Sequence, residues 1–239
     1  MLQASPATSN CQAIFGRREH VLLGVSPFNS RFGDAYIARL VAWAHASVQD
    51  FDVLLPGVEH ASWILEAVGE SRPLAKSRKE VGRRKRAVQE ALEACAPERR
   101  LAVHDFGDFA DNPHYLGLRD EVERVFAADE GFRRACLDMS RQAVSSRLRT
   151  VRGPDACVDD GQAAAAVRYV LDELPYVLDG ATILGREEML MVYYRPWPLW
   201  DRIERGEFPL KVSPRQGFLV LHDCEEMRSG LTLRGTEPR

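Results

Sequence analysis

The order of apolar segments predicts an α/β protein built on an open, largely parallel sheet. Two observations carry this. Short runs rich in Val, Leu and aromatic residues alternate with longer segments of helical periodicity, and a strand, a helix and a second strand fit within residues 20–55, as a right-handed βαβ unit requires. At 239 residues and 45% apolar, the chain can bury one substantial core, so a single domain over residues 19–226 is expected. Residues 1–18, which open on Ser, Ala and Pro, read as a flexible leader, and 227–239 as a flexible tail.

Taken in order, His20 to Ser26 (HVLLGVS) is a short apolar run closed by a Ser-Pro break, the pattern of a buried parallel strand. Between Asp34 and Val48, apolar residues at Tyr36, Ile37, Leu40, Val41 and Ala44 keep helical spacing. Phe51 to Leu55 (FDVLL) repeats the strand pattern. A helix over Ala61 to Val68 precedes a longer one that Ser71, Arg72 and Pro73 introduce. Leu101 to His104 is a third strand candidate, and Asn112 to Arg147 reads as two helices broken near Glu130 and Gly131. Thr150 to Gln162, with two glycines and a proline, is a loop. Ala163 to Leu178 is helical, with Pro175 placed to kink or shorten it. Glu188 to Tyr194 and Gly217 to His222 are two late strands.

The formal net charge of −3 conceals an asymmetry. Between Lys76 and Arg86 seven basic residues face a single acid, Glu80. Lys76, Lys79, Arg83 and Arg86 fall at i, i+3, i+7 and i+10, one outer stripe of a helix, with Arg84 beside it. Such a stripe suits a polyanion, whose phosphates shed counterions to Lys and Arg; it also suits a plain solvated face. No apolar run approaches the ~18 residues of a membrane helix. The five cysteines are scattered, with no CxxC pair and no histidine at ligand spacing, so reduced thiols in a cytoplasm and no metal are expected.

In an open α/β sheet, ligands bind beyond the carboxyl ends of the strands. Ser26 sits at the exit of the first predicted strand, where a hydroxyl can do acyl chemistry given a proton acceptor and oxyanion donors. Ser before Pro is equally a turn signal, and G-V-S-P-F lacks the second glycine of a hydrolase nucleophile elbow. Tyr169 and Glu173, at i and i+4, share a helix face; on the residues alone they are also an ordinary core aromatic and an ion-pair partner. Asn29 could equally serve as an Asx-turn residue.

Several of these segments together resemble one family. Gly24-Val25-Ser26-Pro27-Phe28-Asn29-Ser30 resembles the G-x-S-x-x-N-S signature of cyclodipeptide synthases. It is followed in register by Phe51-Asp52-Val53, the Arg/Lys-rich helix, a Y-V-x-x-E-x-P element at Tyr169, Val170, Glu173 and Pro175, and a late strand bearing Tyr193 with Pro198 beyond. The resemblance runs from about His20 to about Leu221. It implies a Rossmann-like domain, a mostly parallel sheet with helices on both faces, similar to the catalytic domain of class I tyrosyl- and tryptophanyl-tRNA synthetases. The chain lacks H-I-G-H, K-M-S-K-S and Walker elements.

The resemblance further implies an enzyme that takes two aminoacyl-tRNAs as substrates, uses neither ATP nor another cofactor, and forms a cyclic dipeptide through aminoacyl and dipeptidyl esters of Ser26. Tyr169 and Glu173 would hold the aminoacyl ammonium. Tyr193 would position or relay protons, and Asn29 would bond the substrate carbonyl. The first pocket would include Leu22, Gly24, Leu54 and Tyr176; Trp197 and Pro198 would shape the second. The basic stripe, Lys76, Lys79, Arg83, Arg84 and Arg86, would bind the tRNA acceptor arm, and a monomer or weak dimer is expected. The contrasting expectation is a noncatalytic RNA-binding module on the same fold.

Overall fold

A computed structural model describes residues 1–95, 97–98 and 102–224. Its elements are β1 (Leu2–Pro6), α1 (Ser9–Arg17), β2 (His20–Gly24), α2 (Asp34–Ser47), β3 (Asp50–Leu55), α3 (Val58–Ala67), α4 (Pro73–Cys95), β4 (Val103–Asp105), α5 (Pro113–Ala128), α6 (Glu130–Arg152), α7 (Asp160–Ile183), β5 (Met189–Tyr193), α8 (Pro198–Glu204) and β6 (Gln216–Asp223). Six strands form one sheet in the order β1-β6-β5-β2-β3-β4. All neighbours are parallel except β1, which runs antiparallel to β6.

The central strands are apolar on both faces because both are covered. Val21, Leu22 and Leu23 of β2 have no exposed surface, as buried parallel strands require. Strand alternation then sorts the cover. Gly180 of α7 lies against Met189 and Gln216 on one face, while Cys11 of α1 touches Gly217 on the other. One polar group interrupts β3. Asp52 is buried, and the neighbouring His104, His20 and Arg186 offset that burial and hold its carboxyl well below the usual carboxylate range.

The topology sets where a ligand can bind. The chain leaves β2 toward β3 on one side, and β5 later fills the other side, so strand order reverses between β2 and β5. The loops at their carboxyl ends diverge and leave a crevice.

The first residues depart from the leader expected of them. Leu2–Pro6 forms the edge strand β1, paired from Leu2 with Asp223 to Pro6 with Leu219. Thr8 caps α1 by accepting from the Cys11 amide, and Cys11 and Ile14 are buried. The Ser, Pro and Thr content that resembles a disordered segment thus belongs to an edge strand and a helix cap. The predicted tail, 227–239, lies outside the described residues.

Two helices also differ from expectation. α6 continues to Arg152, beyond the Arg147 limit. α7 passes through Pro175 and changes course only at Asp179 (φ −155°, ψ 55°), whose carboxylate accepts from the Thr182 hydroxyl and backbone N–H like the cap of a new turn.

The α1–β6 contact yields a stability prediction. A Cβ on Gly217 would lie 2.7 Å from Leu190 Cδ2 and 2.9 Å from Cys11 Sγ. Gly217→Ala is expected to cost about 1–3 kcal/mol through overpacking. Its urea midpoint should fall clearly below that of the wild type, and an unchanged midpoint would contradict this packing.

Candidate active site

The crevice gathers the predicted chemistry. Past the end of β2, Ser26 turns its hydroxyl toward β5, whose last residue is Tyr193; Ser26 Oγ and Tyr193 Oη share a hydrogen bond of 3.1 Å. Gly24 lies beside this pair. A Cβ there would stand 3.4 Å from the Tyr193 ring and 3.5 Å from the Val192 carbonyl. From α7, Tyr169 and Glu173 reach the same space one turn apart.

The electrostatics follow from enclosure. Burial pushes the Tyr169 phenol well above its usual range, and the charges of Glu173 and Tyr193 add to this, while its hydrogen bond with Ser26 opposes it. Tyr193 is likewise raised, chiefly by burial. Both phenols are neutral at pH 7 and can donate to oxygen. Burial also raises Glu173 to about 7, with the positive charge of Arg195 pulling the other way. Glu173 is half-buried and lines the cavity. A carboxyl group poised between its two forms therefore sits beside two neutral hydroxyl donors.

α7 is held in this orientation from behind. Asp172, next to Glu173, pairs with Arg119 of α5 and with His60 of α3 at 3.3 Å. Tyr115 donates to the Asp172 carbonyl at 3.2 Å. These bonds fix the helix face that meets Ser26.

The cavity around these groups has a volume of about 400 Å³. Its walls include seven predicted residues, Gly24, Ser26, Asn29, Tyr169, Glu173, Tyr193 and Trp197. Four others stand elsewhere. Leu22 and Leu54 are sealed in the core below Gly24. Tyr176 turns away to stack on Phe106, donating to its carbonyl at 3.0 Å. Pro198 is an exposed first-turn residue of α8. Strand parity and helix spacing place these residues near the site but do not say how deep the cavity reaches.

Other walls come from residues that sequence reasoning missed. Met191 and Phe218 extend the sheet face bearing Tyr193, being respectively two residues before it and the β6 partner of Met191. Met139, Gln142, Ser146 and Arg149 come from α6, which reaches the crevice only through tertiary packing. Asn29 serves the loop: its Nδ2 donates to Tyr194 Oη at 2.8 Å, and its Oδ1 accepts from the Arg31 amide. Among the described residues, no three His, Cys, Asp or Glu side chains gather as metal ligands, and no helix is long and apolar enough to cross a membrane.

The basic stripe lies on α4 with one correction. Lys76, Lys79, Arg83 and Arg86 are exposed, although Lys76 pairs with Glu70 at 2.5 Å and Arg83 with Glu80 at 3.0 Å. Arg84 is only 3% exposed and bonds inward, so it is not available to a polyanion on that face. The heptad-like spacing of the stripe turns Arg84 toward α2, and a run of charges in the sequence conceals this.

Comparison with known proteins bears on this site. The family model described as cyclodipeptide synthase matches residues 2–223. A cyclo(L-leucyl-L-leucyl) synthase of Bacillus subtilis (strain 168) is 45% identical over 228 residues, 95% of this chain and 91% of that protein. One of the same name from Staphylococcus haemolyticus is 36% identical over 216 residues, 90% of this chain and 92% of that protein. The crystal structure of a cyclodipeptide synthase from Bacillus thermoamylovorans superposes with a TM-score of 0.88 at 38% identity, covering 93% of this chain and 96% of that one. A Mycobacterium tuberculosis structure, described as demonstrating a relation between cyclodipeptide synthetases and type I tRNA synthetases, gives a TM-score of 0.79 at 25% identity, with 92% of each chain covered.

The raised Glu173 group makes stability depend on pH. Between the ordinary value of 4.5 and about 7, the folded state keeps a proton that the unfolded state has released. Stability therefore falls as pH rises through that window and levels off above it. Glu173→Gln removes the dependence. The variant should gain on the wild type from pH 5 to pH 8, by on the order of 3 kcal/mol at 1.36 kcal/mol per unit. Urea unfolding at both pH values checks this, and a constant difference between the two proteins would refute the shift.

Proposed function

The chain belongs to the cyclodipeptide synthase family and makes cyclic dipeptides, and from that premise we propose a ping-pong reaction with two aminoacyl-tRNAs, through aminoacyl and then dipeptidyl esters of Ser26, without ATP. The observation that carries this reading is the Ser26 hydroxyl bonded to Tyr193 at the mouth of a cavity of about 400 Å³ that also holds Tyr169 and Glu173.

Ser26 Oγ attacks the carbonyl of the first aminoacyl ester. The bond to the ribose oxygen breaks, and the serine proton passes by way of the Tyr193 hydroxyl to that departing oxygen. The neutral phenols of Tyr169 and Tyr193 are placed to donate to developing negative charge, as an oxyanion site requires. No imidazole is needed, because the substrate is already an activated ester.

The amine must then become a nucleophile. An α-amino group titrates at about 7.7–8.0, close to Glu173 at about 7. Glu173 and Tyr169 can therefore hold the ammonium and accept its proton with little driving force lost. The freed amine attacks the second aminoacyl ester and releases the second tRNA, leaving a dipeptidyl ester on Ser26. The new terminal amine attacks that ester, closes the six-membered ring and regenerates the serine.

Leucine is the proposed side chain at both positions. The two relatives above are leucyl-leucyl synthases, and the cavity presents Met139, Val170, Val177 and Met191, flexible or aliphatic surfaces that fit a branched apolar group. The exposed cations Lys76, Lys79, Arg83 and Arg86 suit the phosphates of an acceptor arm, read as charge and not as sequence.

Incubation with leucyl-tRNA should give cyclo(leucyl-leucyl) by mass spectrometry and a labile leucyl ester on the protein. Ser26→Ala should abolish both, and product formation by that variant would sink the covalent mechanism. An RNA-binding module without activity would give neither ester nor product. Separately, Arg83→Ala with Arg86→Ala should raise KM for the charged tRNA, with a weaker dependence on salt than the wild type. An unaltered salt dependence would exclude α4 as the tRNA contact.

A further inference from the structure

The seven basic residues between Lys76 and Arg86 read as one surface feature, yet one of them points the other way. Arg84 is 3% exposed, whereas its neighbour Arg83 exposes 48% of its side chain. The Arg84 guanidinium lies between α4, the start of α2 and the loop after β2. Nη2 donates to the Pro27 carbonyl at 3.2 Å and sits 2.8 Å from Glu80 Oε1; Nη1 stands 3.9 Å from Asp34. Its Nε and Nη1 have no hydrogen-bond partner and are buried.

Holding a cation there is costly, since desolvation of an ion in a protein interior amounts to several kcal/mol and here only part of the donor set is satisfied. Arg84 is buried and does not itself line the cavity, although its partner Pro27 does, so the cost is not offset by a surface role. What the guanidinium does is join Glu80 on α4 to the carbonyl of the residue following Ser26.

We propose that Arg84 is a positioning residue for the nucleophile: it fixes the loop that carries Ser26 and makes no contact with nucleic acid. The proposal rests on the reading of Ser26 as the acylated residue. The backbone around Ser26 is anchored on both sides. Before it, the Val25 N–H donates to the Leu54 carbonyl at 3.0 Å; after it, Arg84 holds the Pro27 carbonyl, and the proline ring fixes the intervening φ. Between these anchors Ser26 has little freedom beyond its own side-chain rotation. A planar guanidinium can meet the Glu80 carboxylate and the Pro27 carbonyl together. Both contacts are made by one nitrogen, Nη2, at the far end of the side chain, and the shorter stem of a lysine stops short of that position.

Arg84→Lys separates this role from a phosphate contact, because lysine keeps the charge that a phosphate requires but does not reach the position of Nη2. Three measurements are needed: single-turnover acylation of Ser26 at saturating leucyl-tRNA, the Kd of an amide-linked, non-transferable leucyl-tRNA at several salt concentrations, and amide hydrogen exchange of residues 25–32. The expected result is acylation slowed about 10- to 100-fold, the loss that a displacement near 1 Å produces. The Kd and its salt slope should be unchanged, and exchange at the Asn29 and Phe32 amides should be faster. Wild-type acylation, or a weakened Kd with a shallower salt slope, would overturn the proposal.

If Arg84→Lys does not fold, Glu80→Gln leaves the guanidinium in place and removes its charged anchor. Slowed acylation with unchanged Kd is again expected, and full acylation again overturns the proposal. If the wild type forms no ester, the acyl-transfer reading fails. The exchange data still decide whether Arg84 holds the loop.

Discussion

The hydrogen bond between Ser26 and Tyr193 is the interaction on which the site depends. It bridges the ends of β2 and β5, the pair of strands at which the order of the sheet reverses. Parallel pairing keeps those strands in register up to Leu23 and Val192, and only beyond that point do the chains part. The two hydroxyls therefore meet at the first place where the sheet can admit a ligand, with their spacing set by the ladder beneath them.

The rest of the architecture adapts to that opening. Gly24 lines the cavity beside the Tyr193 ring. α7 crosses the crevice with Tyr169 and Glu173 inward, and its outer face is pinned by Asp172 to Arg119 and His60. The same burial that orders these groups raises Glu173 to about 7 and keeps both tyrosines protonated at neutral pH. Placement and acidity thus have one cause.

Much of this was legible in the residues. Short runs rich in Val and Leu marked β2 and β3, interrupted in β3 by Asp52, because buried parallel strands need no polar face. Ser26, Tyr169, Glu173 and Tyr193 were found by strand exit, helix spacing and the family resemblance, and the structure brings all four together. Periodicity gives direction but not depth, so Leu22, Leu54 and Tyr176 were assigned to a pocket that ends above them. The α6 wall was invisible because no local pattern records which helix folds over a crevice. Arg84 was misassigned since charge in a sequence carries no information on the side of the helix that packs. The first eighteen residues were misread for a different reason: an edge strand needs only one partner, and that partner, β6, lies at the far end of the described chain.

That pairing constrains how the protein can be made. Leu2 meets Asp223, and the Met1 carbonyl accepts from the Cys224 amide, so β1 has no place to dock until β6 has been made. Loop closure over such a distance is slow relative to local helix formation. Until it occurs, the apolar side of α1 and the bare rim of β6 are open to other chains. A chain in which β1 and β6 have not yet met is thus open to aggregation at both segments, and their pairing shields the two together.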